Sequence, residues 1–208
     1  MRLASCLVAI FLALAGIPAS AADASPEPRL VVPVRVHLLQ STNQPQVHTT
    51  LTEADVRRVF GKVNRVWAQA RISFAVESIV KESARAADAP EENPKDRWLL
   101  GVIPVSSRAT IAFNVYYVKQ MQPNGYWSGG VVFVKDTASL KEVPGGIDEP
   151  LPRVTSHELG HALGLAHRQD RTNLMASGTT GTALNEEEIR LARANASRRS
   201  WVKKAAEK

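Results

Sequence analysis

Cysteine is almost missing from this sequence: among 208 residues there is one, Cys6. It falls inside an N-terminal segment that reads as a cleaved leader, so the remaining chain carries no thiol. That argues against a disulfide framework, a thiol redox enzyme, and any metal site or latency device built on a thiolate. Long apolar runs are missing too. The longest, from Leu7 to Ile17, is shorter than the about 20 residues needed to cross a bilayer, so stable membrane insertion is not expected. A strong charge of one sign is also absent. Lys and Arg number 26 against 20 acidic residues, a net +6 that is spread along the chain with a modest excess from Arg198 to Lys208. Nucleic acid is therefore not an expected partner. With 44% hydrophobic and 22% charged residues, the composition is that of one ordinary globular domain rather than a disordered or collagen-like chain.

What is present begins with an export signal. Arg2 precedes the apolar run, which is followed by Pro18 and the small residues Ala19, Ser20, Ala21 and Ala22. This order describes a secretory signal peptide over residues 1–21 and a single domain over 22–208. No Cys stands just before the cleavage point, so a lipoprotein is not indicated, and a secreted or periplasmic location is expected.

Hydrophobic periodicity then orders the chain. Leu30 to Leu39 reads as a β-branched strand, with Pro33 marking its start or a sheet edge. Thr52 and Asp55 form a capping box, Leu51 and Val56 a staple, and Val56, Val59, Phe60, Val63, Trp67 and Ala70 repeat at helical spacing. Arg71 to Val80 alternates as a half-buried strand, and Lys81 to Asp96 reads as a polar surface excursion. Asn93 and Pro94 predict a short helix carrying Trp98, Leu99 and Leu100, ended by Gly101 and Pro104. Thr110 to Val118 and Val131 to Lys135 are further strands, with a short edge strand expected near Gly125 to Val131. A helix is predicted from about Pro152, and a last one capped by Asn185, with Glu186, Glu187 and Glu188 in its first turn and Leu184 and Ile189 as its staple.

Chemistry concentrates in eleven residues. His157 and His161 are four apart, so on a helix they project from one face about one turn apart and can meet one ion. Glu158 is one position round from His157 and can reach a water on that ion without ligating it. A continued helix would carry His167 to the wrong side, roughly 240° round from His161. Gly164 is placed to end the helix at positive φ and return His167 as a third ligand. Three histidines leave the fourth tetrahedral position of a zinc ion to water, the catalytic form of zinc coordination.

The run His157, Glu158, His161, Gly164, His167 resembles the signature of the metzincin clan of zinc peptidases in full. The residues Asn173, Leu174, Met175, Ala176 and Ser177 resemble the clan's Met-turn. The resemblance implies an α+β fold: a twisted, mostly parallel five-stranded sheet and two long helices in an N-terminal lobe at about 30–165, and a small C-terminal lobe at about 166–208. It implies a Zn²⁺ cofactor on His157, His161 and His167, Glu158 as general base, Gly164 and Met175 as structural residues beside the site, and hydrolysis of peptide bonds in a protein or peptide substrate. Arg168, which follows the third histidine, matches none of the clan's main families, so the resemblance stops at the clan. Ser177 stands where some members carry a metal-binding Tyr, and no cysteine is available for a cysteine switch.

The expectation is thus a secreted, monomeric zinc endopeptidase with no identified inhibitor partner. Two other readings share the site: a secreted zinc-binding protein without turnover, and a zinc amidohydrolase acting on a non-peptide amide. Tyr116, Tyr117 and Tyr126 are candidates to assist an oxyanion, with packing the commoner role for such residues. His37 and His48 read as structural or solvated, and Arg168 either pairs with Glu186 to Glu188 or stays solvated.

Overall fold

A computed structural model describes residues 27–86 and 96–205. The leader, Asn93 and Pro94 lie outside the described residues. The elements run β1 (Leu30–Gln40), α1 (Glu53–Trp67), β2 (Ile72–Ser83), α2 (Asp96–Val102), β3 (Phe113–Val118), β4 (Gly125–Ser128), β5 (Val131–Lys135), α3 (Pro150–Ala162), α4 (Glu186–Ser197) and β6 (Lys203–Lys204). The strands form one sheet in the order β2-β1-β3-β5-β4, parallel except for the antiparallel β4, and β6 adds a short antiparallel pairing to β1. The sheet is therefore the predicted five-stranded one with a two-residue sixth strand.

Alternation along the strands divides the buried residues between two faces. Val32, Val34, Val36, Leu38, Val115, Tyr117, Val132 and Val134 face a core shared with α1, α3 and α4. Tyr116, Val118, Val131 and Phe133 face a second core closed by Leu99, Val102 and Ile103 of the α2 region. α1 starts at the predicted capping box, with Asp55 N donating to Thr52 Oγ1 and Thr52 N to Asp55 Oδ2. It buries Val56, Val59, Phe60, Val63, Val66 and Trp67 on one face. Lys62 on α1 pairs with Glu149, the residue that precedes α3.

Several boundaries differ from expectation. β1 lies inside the sheet, and Pro33 occupies the gap on one flank between the pairings of β6, at Leu30 and Val31, and of β3, from Val34. The missing N–H costs no pairing on that flank. β2 runs on to Ser83 because it follows β1 to Gln40, which shortens the surface excursion. β3 begins at Phe113 rather than Thr110, since the Asn114 side chain binds both the N–H and the C=O of Ala109 and holds that stretch off the ladder. α2 contains Gly101 and ends at Val102.

Candidate metal centre

α3 begins two residues before the predicted start, with Pro150 and Pro152 in its first turn, where backbone N–H groups lack helical partners in any case. Nearly every residue of it is buried, because the sheet lies along one side and the C-terminal segment along the other. Arg153, His157 and His161 share one stripe by their spacing of four. The helix stops as the sequence predicts. Gly164 N donates to His161 O and Leu165 N to Gly160 O, both at 2.9 Å, with Gly164 at φ +87°. This is a Schellman termination, which only glycine enters without penalty. The chain turns back, and His161 Nε2 comes to 3.1 Å from both His157 Nε2 and His167 Nε2.

Two backbone contacts decide which nitrogens are free. His157 Nδ1 donates to Leu174 O and His161 Nδ1 to Leu165 O, each at 2.8 Å. The proton is thereby held on Nδ1, leaving a lone pair on each Nε2. Three imidazoles aimed at a common point within 4.8 Å of one another are the donor set of one borderline cation, and spacings of 3.1 Å suit bonds of about 2.0–2.1 Å to zinc. The residues fit a zinc ion.

Burial drives the charge states here. It pushes His157 down to about 3 and lowers His161 as well. It raises the Glu158 carboxyl to about 8, against the opposing charge of Arg153. For the metal-free protein the two groups act in opposite directions. Below an ordinary imidazole value of 6.5 the unfolded chain takes a proton that folded His157 refuses until about 3, so stability falls with falling pH. Above an ordinary carboxyl value of 4.5 the unfolded chain releases a proton that folded Glu158 keeps until about 8, so stability falls with rising pH. The two slopes oppose each other between 4.5 and 6.5. Melting temperatures of chelator-treated protein are expected to be highest in that window and to decline on both sides, whereas Glu158→Gln should remove the alkaline decline.

Glu158 is buried, at 4% exposure, beside the histidines in a cleft of roughly 620 Å³. Gly125 of β4 holds it there. A Cβ on Gly125 would stand 2.6 Å from Val154 Cγ1, 2.8 Å from Glu158 Cγ and 2.9 Å from Glu158 Oε1. Only a residue without a side chain lets the edge strand approach the carboxylate so closely. Gly125→Ala is expected to keep the fold and zinc binding but to lower any hydrolysis that uses Glu158 as base by about 10²-fold through displacement of that carboxylate. Metal analysis and a steady-state assay on the same sample check this.

Met175 is fully buried under α3, in space that Gly160 leaves open for its sulfur. The turn carrying it is fastened twice: Asn173 Oδ1 accepts from Met175 N, and Arg168 N donates to Met175 O. Arg168 pairs with Glu188 at 2.8 Å and with Glu187 at 3.2 Å, which answers the open question about its partner. Glu188 also accepts from Asn173 Nδ2 and from Asn185 N, so the cap of α4, the Met175 turn and the chain after His167 share one carboxylate. The tyrosines separate. Tyr126 borders the cleft, whereas Tyr117 is bonded to Thr155 inside the core and Tyr116 stacks on His37. His37 is buried against Glu82 and Asn114, and His48 bonds Ser41 O in its loop. The roles of Gly125, Arg153 and Gly160 were not foreseen. Of these only Arg153 carried a signal, its place on the His157 stripe.

Fold and site together resemble those of the metzincin type of zinc metallopeptidase. Residues 112–197 match the model of the matrixin peptidase family. Among solved structures, mature mirolysin of Tannerella forsythia in complex with a cleaved peptide is similar at 13% identity, covering 81% of this chain and 92% of that one, with a TM-score of 0.58. Archaemetzincin from Methanopyrus kandleri is similar at 14% identity, covering 83% of this chain and 98% of that one, with a TM-score of 0.54. At such identities the likeness is one of fold. A search of curated protein sequences returned no match.

Proposed function

We propose that the protein is an exported zinc endopeptidase with His157, His161 and His167 as metal ligands and Glu158 as general base. The observation that carries this reading is the convergence of three Nε2 atoms beside a buried carboxylate in an open cleft. Zinc bound there would acidify a water molecule and polarise a scissile carbonyl. The chain's own groups account for the rest. Leu174 O and Leu165 O keep two imidazoles in the ligating tautomer. Glu158 accepts a proton from the attacking water and passes it to the leaving amine. β4 is the last strand of the sheet, and its residues Gly125, Tyr126 and Trp127 border the cleft. An extended peptide added along that edge would gain main-chain hydrogen bonds. Mirolysin, similar in fold, is seen with a cleaved peptide.

The test is metal analysis of the purified protein followed by a peptide-library cleavage assay. One zinc per chain and internal cleavage are expected, with both lost when His157 and His161 are replaced by Ala. Zinc retained at full stoichiometry by that double variant overturns the ligand assignment. Hydrolysis confined to acetylated or other non-peptide amides would favour the amidohydrolase reading.

A further inference from the structure

We propose that Arg153 makes one end of the cleft a carboxylate-binding subsite, so that the preferred substrates carry Asp or Glu at a position next to the scissile bond. The inference rests on the peptidase reading above. Arg153 is 1% exposed, yet it borders the cleft together with Val154, Leu140, Ser177 and Gly178. Its donors are unequally satisfied. Nε donates to Gly181 O, and NH2 donates to Ala176 O and Asn173 O. Among the described residues NH1 has only His157 Nδ1 within hydrogen-bond distance, at 3.1 Å.

That contact cannot be a hydrogen bond while His157 serves as a ligand. Nδ1 already carries the proton it gives to Leu174 O. If NH1 donated to it instead, the ring proton would sit on Nε2 and the lone pair facing the other histidines would be lost. Both NH1 hydrogens are therefore without an acceptor among the described residues in the ligating state. No carboxylate forms an ion pair with Arg153 among the described residues, and the one acid in the cleft lining, Glu158, acts on it through space and is assigned to proton transfer. A buried guanidinium with three carbonyls and no carboxylate in contact is costly to keep. A substrate carboxylate entering the cleft supplies the missing charge, and acceptor oxygens for the two NH1 hydrogens. A neutral side chain of the same shape leaves the cation unpaired, and a site with a buried group left unpaired discriminates against such an analogue.

The experiment uses the zinc-loaded full chain and a peptide series with Glu, Gln, Leu or Lys at each position flanking the cleaved bond. At one position kcat/KM for Glu should exceed that for Gln at least tenfold. Arg153→Gln should abolish the ratio and Arg153→Lys should retain part of it. The same peptides titrated calorimetrically into Glu158→Gln protein should show the same Glu-over-Gln order in Kd. Cleavage with equal rates for Glu and Gln at every position overturns the subsite and leaves the peptidase reading standing. So does a ratio that survives in folded Arg153→Gln. If that variant does not fold, the wild-type ratio decides. If no peptide is cleaved, the peptidase reading falls and the Kd ratio decides the subsite by itself.

Discussion

Glu158→Gln is expected to bind zinc as the parent does while losing about 10²- to 10⁴-fold in peptide hydrolysis, the usual worth of a positioned base. The amide preserves the shape that fills the space against Gly125 and Val154, so the fold has no reason to change. What it lacks is the ability to take a proton. The loss should appear in kcat rather than in peptide affinity, because the substrate contacts proposed along β4 and at Arg153 are untouched. Near-parental turnover in protein with full zinc content would show that another group accepts the proton.

Gly164→Val is expected to lower zinc affinity by at least tenfold, about 1.4 kcal/mol, and to destabilise the fold at the same time. Residue 164 sits at φ +87°, and a Cβ there would collide with the amide of Asn195. A β-branched residue in that backbone region costs of order 1–3 kcal/mol before the collision is counted. Asn195 Nδ2 donates to Leu163 O, so the clash falls on the contact that ties α4 to the end of α3. Relief requires the turn to move, and His167 is three residues beyond it. Ala162→Val is the useful comparison. Ala162 is buried, so valine there overpacks the core and costs stability, yet the turn is unaffected. Zinc dissociation constants measured on the folded variants should separate the two, and equal values would remove Gly164 from the account of the third ligand.

The metal site was legible because it is local. His157, Glu158, His161, Gly164 and His167 lie within eleven residues, and helical geometry plus one glycine turn is enough to place them relative to each other. The caps of α1 and α4 were legible for the same reason, since Thr52 with Asp55 and Asn185 with Glu188 are each three apart and both form capping boxes. Errors arose where a long-range partner overrides the local pattern. The length of β2 follows from β1, and the late start of β3 from a side chain that captures the backbone five residues away.

Residue types and their spacing along the chain thus determined that three imidazoles and a carboxylate belong to one centre, and where the strands flanking α1 and preceding α3 fall, while the mostly parallel sheet they build was implied by the resemblance. Which atoms of that centre are free to act depends on groups far away in sequence. The Nδ1 proton of His157 is fixed by Leu174 O, seventeen residues on, and Glu158 is pressed by Gly125, which precedes it by more than thirty. The guanidinium of Arg153 meets carbonyls up to twenty-eight residues beyond it. Hydrogen bonds and close approaches of this kind are set by how the sheet edge, α3 and the Met175 turn pack together. A periodicity argument follows one chain segment at a time, so it carries no information about which backbone carbonyl or edge strand will arrive at a given side chain.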